Sequence, residues 1–285
     1  MMEQEQQQEQ QEDREFMILM QKIKRNRSLD FTLYRRATLR NRIASRLHAT
    51  GCPTCWDYIL LLNRDPAEYD RLIGALTIKK SSFFRDENVF RILEKKIIPG
   101  IISRAESTGA RRIRAWSCGA AFGQEAYSLA MLFMDALGRR PDAFDIKIFA
   151  TDIDAEALEK APWGSYDRRS LGTMRPHLLL KYFTRAGDRY VVSEGARALV
   201  TFRRHDIVTD RPLGRMDLVL CRNLLIYFQE ELQDKALRCL KSALIPGGFL
   251  VLGKAETMAR QVRDGFETLD AGERVYRKKV AAEQG

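Results

Sequence analysis

The chain has 285 residues, 45% of them apolar and 30% charged, enough for one large core or a core with a satellite domain and ordinary for a soluble globular protein. No stretch approaches the roughly 18 apolar residues of a membrane span. The N-terminal MMEQEQQQEQQEDRE is acidic where a secretory signal is basic and then apolar, so no membrane insertion and a cytoplasmic location are expected.

Residues 1–13 read as a disordered tail. From 14 to 88 the pattern predicts a helical domain, with Leu, Ile, Phe and Tyr recurring at three- and four-residue spacing. Asp30 can cap a helix over FTLYRRATLRNRIASRLHAT, which Gly51 closes. The five cysteines argue against a disulfide framework. Cys52 and Cys55 form a lone CxxC with only three histidines in the chain, so GCPTC reads as a helix-start turn and no metal site is expected. PAEYDRLIGAL is the next helix, with Asp65 at its cap. A linker helix then covers 89–111 within DENVFRILEKKIIPGIISRAE, broken near Pro99-Gly100.

The net charge of +10 asks for an acidic partner: nucleic acid, an anionic membrane or an acidic protein face. Much of the excess lies early. Lys22, Lys24, Arg25, Arg27, Arg35, Arg36, Arg40, Arg42 and Arg46 face only Asp30 between residues 22 and 46. A solvated helix face is the ordinary explanation, and a docking face is the other.

The texture changes at Arg112, where a second domain over 112–285 begins. RIRAWSC, KIFATDI, VTFRRHD, MDLVLC and FLVLG are short strand candidates, too apolar for a sheet with one wet face. EAYSLAMLFMDALG, DAEALEKA and EELQDKALRCLKSAL read as helices between them. This alternation predicts an α/β fold with a mostly parallel, doubly covered sheet. Residues 162–199 exceed what a crossover needs and read as a small inserted subdomain. FETLDAGERVYRKK reads as a terminal hairpin turning at Asp270-Ala271-Gly272.

In open α/β sheets ligands bind beyond the carboxyl ends of the strands. Here those ends carry SCGAAFGQE with Glu125, then Asp152, Asp206 and Arg222-Asn223. The last pair interrupts the apolar run LVLCRNLLIYF, and a buried guanidinium needs a partner. The glycine loop matches neither GxxxxGK nor GxGxxG. An acid just past it and another after strand two would repel a pyrophosphate but suit a cationic nucleoside. S-adenosylmethionine, with a sulfonium, an amino group and a ribose, fits that electrostatics.

WSCGAAFGQEAYSLA, FATDIDAEALEKA, GSY, MDLVLCRNLLIYF and IPGGFLVLGKAET resemble the successive signatures of the chemotaxis receptor methyltransferases, the CheR family. LTIKKSSFFRDENVF resembles that family's linker motif, and the likeness runs over about residues 15–280. The resemblance implies an N-terminal all-helical domain, a Rossmann-like S-adenosylmethionine-dependent methyltransferase sheet and a small inserted β-subdomain. It implies methyl transfer to glutamate side chains of chemoreceptors, giving methyl esters and S-adenosylhomocysteine. By position, the cofactor contacts fall on Lys79, Ser81, Arg85, Glu125, Asp152, Asp206 with Ile207, and Arg222 with Asn223. Arg85 would also orient the acceptor carboxylate and Tyr227 would lie beside the methyl, the two catalytic candidates. Arg222 is expected to pair with a pocket acid or the methionine carboxylate.

The plain alternatives are a first-turn helix charge for Glu125, helix caps for Asp152 and Asp206, an Asp86 ion pair for Arg85 and a core aromatic for Tyr227. The chain departs from the family pattern at Lys79, Phe122, Gln124, Ala126 and Asp206. A cofactor-binding interaction module with little or no turnover is the alternative function. The implied partner is the acidic methylation region of a receptor, met by the basic N-terminal face. No nucleic-acid signature appears, and a monomer is expected. In YFTRAGDRYVV only Arg185–Arg189 separate Thr184 from the next strand, a short loop that implies no tethering to a receptor tail peptide.

Overall fold

The computed structural model describes residues 2–77, 79, 81–138, 140–172 and 174–280. The chain divides into two compact units, one comprising Met1–Ile78 with Tyr227–Leu232, the other Lys79–Ile226 with Gln233–Gly285.

The first unit is built on four helices, Met2–Arg27, Arg36–Thr50, Cys55–Arg64 and Glu68–Leu76. Phe16, Leu19, Met20 and Ile23 are buried at helical spacing, with Leu39, Ile43, Tyr58, Leu62, Leu72 and Ile73. Residues 2–13, expected to be disordered, instead continue the first helix. Glutamine and glutamate are good helix formers, and Gln8 and Gln11 donate to Glu12 and Glu15 one turn on. The second helix starts at Arg36, five residues past the expected start at Phe31. The Asp30 carboxylate takes the Thr32 amide at 3.0 Å, and the amides of Arg35 and Gln229 bond the Tyr227 and Leu33 carbonyls. That pairing holds Leu33–Arg35 out of the helix. Gly51 closes the helix at φ 69°, and Thr54 caps the next by accepting the Asp57 amide. Cys52 and Cys55 are free thiols in that turn.

Arg46 is half-buried and paired with a core acid instead of standing free on a solvated face. Its guanidinium meets the Glu68 carboxylate at 2.5 and 2.7 Å, and the Tyr58 hydroxyl donates to Glu68 at 2.6 Å. Glu68 is only 2% exposed. Burial, the largest influence, pushes its pKa up, but hydrogen bonds from Arg46, Tyr58 and Arg71 outweigh it and hold the carboxyl at about 2.

The second unit holds a seven-stranded sheet. Its strands are β1 (Arg112–Cys118), β2 (Asp145–Asp152), β6 (Val200–Arg204), β7 (Met216–Cys221), β8 (Leu244–Leu252), β9 (Phe266–Asp270) and β10 (Val275–Lys278). The order is β6-β2-β1-β7-β8-β10-β9. The first five are parallel, and the hairpin β9–β10 closes the edge antiparallel. Ala115, Trp116, Ser117 and Cys118 are consecutive and all at most 3% exposed, so both faces are covered and alternation is lost. Between β2 and β6 a three-stranded antiparallel sheet is inserted, β3 (Ser165–Asp167), β4 (Phe183–Ala186) and β5 (Arg189–Val192), in the order β3-β5-β4. Gly187, at φ 61°, and Asp188 make the tight β4–β5 turn.

The helical stretch Glu87–Thr108 does not break at Pro99-Gly100. It passes through a π-helical turn at Leu93–Ile97 and resumes at Ile98. Proline lacks an N–H and its ring clashes with the carbonyl four residues back, and the wider turn just upstream accommodates both. Among the described residues no helix is long and apolar enough to cross a membrane.

Candidate active site

The carboxyl ends of β1, β2, β6 and β7 converge on one set of polar groups. After β1, the amides of Gly119 and Ala120 both bond the Thr151 carbonyl, at 2.8 and 2.9 Å. This folds the loop back over the end of β2. Gly123 has φ 90°, and a Cβ there would sit 2.7 Å from Cζ of Phe202, so glycine is required by both conformation and space.

Non-glycine residues with left-handed backbone collect here. Of seven among the described residues, four are Phe84, Asp86, Ala121 and Asn223, all in the linker segment or at these strand ends. Such conformations persist only where surrounding contacts over-determine them, which is common at ligand sites.

Arg222 follows the last residue of β7 with its side chain 2% exposed. Its guanidinium reaches Glu125 at 3.1 Å, Asp86 at 2.6 Å and the Arg85 carbonyl at 2.9 Å, and lies 5.5 Å from the centre of the Phe90 ring. The buried arginine thus has two acids as partners. Asp86, read in the sequence only as a partner for Arg85, serves Arg222. The other oxygen of Glu125 accepts the Ser117 hydroxyl at 2.8 Å.

Asp152 accepts the Ala121 amide at 2.8 Å and the Asp154 amide at 3.0 Å, joining the glycine loop to the next helix. Burial pushes its carboxyl above the ordinary aspartate value of 3.8, against the pull of those amides. Asp206 accepts the Val208 amide at 2.8 Å, the local turn geometry of a cap, and Ile207 beside it is buried. The His205 amide donates to the Asp152 carbonyl at 3.0 Å, drawing the ends of β2 and β6 together.

Lys79 forms ion pairs with Asp154 at 3.1 Å and Glu156 at 2.7 Å, and its ammonium stands 5.8 Å over the Phe122 ring. Two departures from the family pattern therefore touch each other. Ser81 is half-buried. Tyr227 belongs to the first unit, where its carbonyl accepts the Arg35 amide at 2.8 Å.

Sequence reasoning missed Glu256. It is 3% exposed and accepts four backbone amides, those of Gly253, Asn223, Leu224 and Leu225. Burial, the strongest influence, raises its pKa against those four bonds. The available signal was an acid inside GKAET, three residues past the glycine that ends the apolar run FLVLG.

Arg222 and Lys79 are each neutralised by two acids, which leaves neither free for a phosphate, while Asp152 and the loop backbone remain at the strand ends. This donor set fits a cationic nucleoside. Glu125, Asp152, Asp206 and Asn223 would hold the cofactor. Fold and site together define an S-adenosylmethionine-dependent methyltransferase. Residues 79–275 match the family model described as CheR methyltransferase, SAM binding domain, and residues 14–77 match the CheR methyltransferase all-alpha domain. The chain belongs to the CheR methyltransferase family.

A chemotaxis protein methyltransferase of Listeria innocua is 31% identical over 258 residues, covering 90% of this chain and 95% of that protein. One from Vibrio parahaemolyticus is 36% identical over 199 residues, covering 68% of this chain and 70% of that protein. An uncharacterized 104.1 kDa protein of Rhodobacter capsulatus is 37% identical over 248 residues, covering 87% of this chain, which spans only 26% of that longer protein.

Substituting Asp152 by Asn should weaken S-adenosylhomocysteine binding about tenfold to hundredfold, the cost of one hydrogen bond to a charged group. Because the pKa of Asp152 lies above 3.8, its carboxylate is lost earlier than an ordinary one as pH falls. Affinity in the wild type should therefore decline on the acid side at a higher pH than an ordinary aspartate would give, and the Asn variant should lack the part of that decline that belongs to Asp152. Calorimetric titrations at descending pH test both. Wild-type affinity in the variant would remove Asp152 from the cofactor contacts.

Proposed function

We propose that this chain transfers a methyl group from S-adenosylmethionine to glutamate carboxylates on the cytoplasmic helices of a chemoreceptor. The single observation that carries the reading is Arg222, buried between Glu125 of the glycine-loop motif and Asp86 of the linker motif, so that three separated family motifs meet at one cation. The names of the chemotaxis methyltransferases from Listeria and Vibrio support the substrate class.

The bound cofactor supplies an activated methyl on a sulfonium. A glutamate is already ionised at neutral pH, so its oxygen can attack the methyl carbon with no general base. The bound cofactor would also supply the leaving group, its C–S electron pair staying on sulfur as a neutral thioether when the methyl ester forms. No proton moves, and alignment in a dry site dominates the rate. Arg85 is assigned to orient the acceptor carboxylate, and Tyr227 to pack beside the methyl. A base-labile methyl ester on receptor glutamates, counted after incubation with labelled cofactor, tests the reading. Cofactor binding without any ester would instead mark an interaction module.

The basic run is assigned to receptor docking, but its members are not equivalent. Arg46 is committed to Glu68 and Arg40 to Asp13, and Arg42 donates to the Ala75 carbonyl. Arg25 and Arg36 are exposed and, among the described residues, outside any ion pair. Reversing both to Glu should leave S-adenosylhomocysteine affinity unchanged, since both belong to the first unit and the cofactor residues to the second. The apparent KM for receptor should rise severalfold. Added salt should mimic the change, given a Debye length of about 8 Å at physiological ionic strength. Unchanged receptor kinetics would show a merely solvated face, and salt-dependent DNA or RNA binding lost in the variant would show a nucleic-acid surface.

A further inference from the structure

We infer that Glu256 is a positioning residue, a built-in anion that sets the backbone carrying Asn223 and thereby the cofactor affinity. One carboxylate oxygen accepts Leu224 N at 2.8 Å and Leu225 N at 2.7 Å; the other accepts Gly253 N at 2.6 Å and Asn223 N at 3.1 Å. Three of these amides are successive, and the first belongs to a residue at φ 59°. Consecutive amides pointing one way, with a left-handed residue among them, form a concave anion site of the kind that elsewhere takes phosphate. Here the chain fills it with its own side chain. The end of β7 therefore has no phosphate site to offer, in keeping with a phosphate-free nucleoside.

The anion also explains how Asn223 keeps a strained backbone. Left-handed geometry is tolerated by asparagine but not favoured, and here the carboxylate holds it in place. Gly253 completes the clamp: a Cβ there would fall 2.7 Å from Glu256 Oε2 and 2.9 Å from the Asn223 amide nitrogen. Gly253 and Glu256 thus work as a pair, glycine admitting the carboxylate and the carboxylate gathering the amides. Arg222, one residue before, is fixed by its own two acids. Each half of the Arg222-Asn223 pair consequently has its own acidic anchor.

This inference rests on the reading of Asn223 as a cofactor contact, and a double-mutant cycle separates the two. S-adenosylhomocysteine is titrated calorimetrically into the wild type, Glu256→Gln, Asn223→Ala and the double variant. Glutamine has the same shape but turns an N–H toward one pair of amides, so Glu256→Gln should lose about tenfold in affinity. In the Asn223→Ala background the same change should cost less than about twofold, because Glu256 acts through Asn223.

Glu256→Asp, which keeps the charge and withdraws it by one methylene, is carried through the same cycle. It keeps the test open if the Gln variant does not fold, and it should show a smaller loss with the same dependence on Asn223. Equal losses in both backgrounds, or wild-type affinity in the Glu256 variants, would overturn the inference while leaving the cofactor reading intact. A wild type that binds no S-adenosylhomocysteine would remove that reading and the inference with it.

Discussion

Replacing Arg222 by methionine should destabilise the second unit by about 3–5 kcal/mol, the usual cost of removing one partner from a buried ion pair. The loss comes less from the missing attraction than from what remains. Glu125 and Asp86 would face each other without the cation that now lies 3.1 and 2.6 Å from them, and the Arg85 carbonyl would lose a donor. Arg222→Lys keeps the charge but presents an ammonium where the site is built for a planar fork reaching three acceptors. It should recover part of the stability and little of the S-adenosylhomocysteine affinity. Denaturant unfolding followed with calorimetry separates these effects. A lysine variant equal to wild type in both would show that charge alone matters at this position.

Arg46→Ala should cost the first unit about 1.5–3 kcal/mol, the loss of charged hydrogen bonds to a buried carboxylate that keeps only Tyr58 and Arg71. The pH dependence identifies the mechanism. Glu68 has its folded pKa depressed to about 2 from the ordinary 4.5. Its contribution to stability is then fully present above 4.5 and is lost as pH falls through about 2. Wild-type stability should show this acid limb, and Glu68→Gln should lack it. Arg25→Glu and Arg36→Glu, on exposed positions, should change stability by less than about 0.5 kcal/mol. If Arg46→Ala unfolds like the Arg36 variant, the Arg46–Glu68 pair is not what holds these helices together.

Those two arginines show where reading along the chain stops. Arg36 and Arg46 look alike in the sequence, two members of one basic run. Which is solvated depends on Glu68 and Tyr58, 22 and 12 residues away from Arg46 and on other helices. The disordered reading of residues 2–13 failed for a related reason. Low hydrophobicity shows that a segment cannot build a core, but not whether it can extend a helix nucleated by Phe16, Leu19 and Met20 beside it. The break expected at Pro99 failed because a π-helical turn upstream relieved the proline clash, and no local pattern announces such a turn.

The sequence by itself determined the α/β class, the order of the parallel strands along the chain, the inserted subdomain and the terminal hairpin. Periodicity and burial patterns are local, and polar residues interrupting apolar runs mark where strands end. Family membership was equally legible, because separated motifs in a fixed order are a one-dimensional property. Only the tertiary structure decided which acid serves which cation. It gave Asp86 and Glu125 to Arg222, Asp154 and Glu156 to Lys79, and Glu68 to Arg46. It alone showed Glu256 as the anchor of Asn223, 33 residues apart. Pairings of this kind depend on where the chain returns in space, and a charge within hydrogen-bonding distance carries no signature in its own neighbourhood of the sequence.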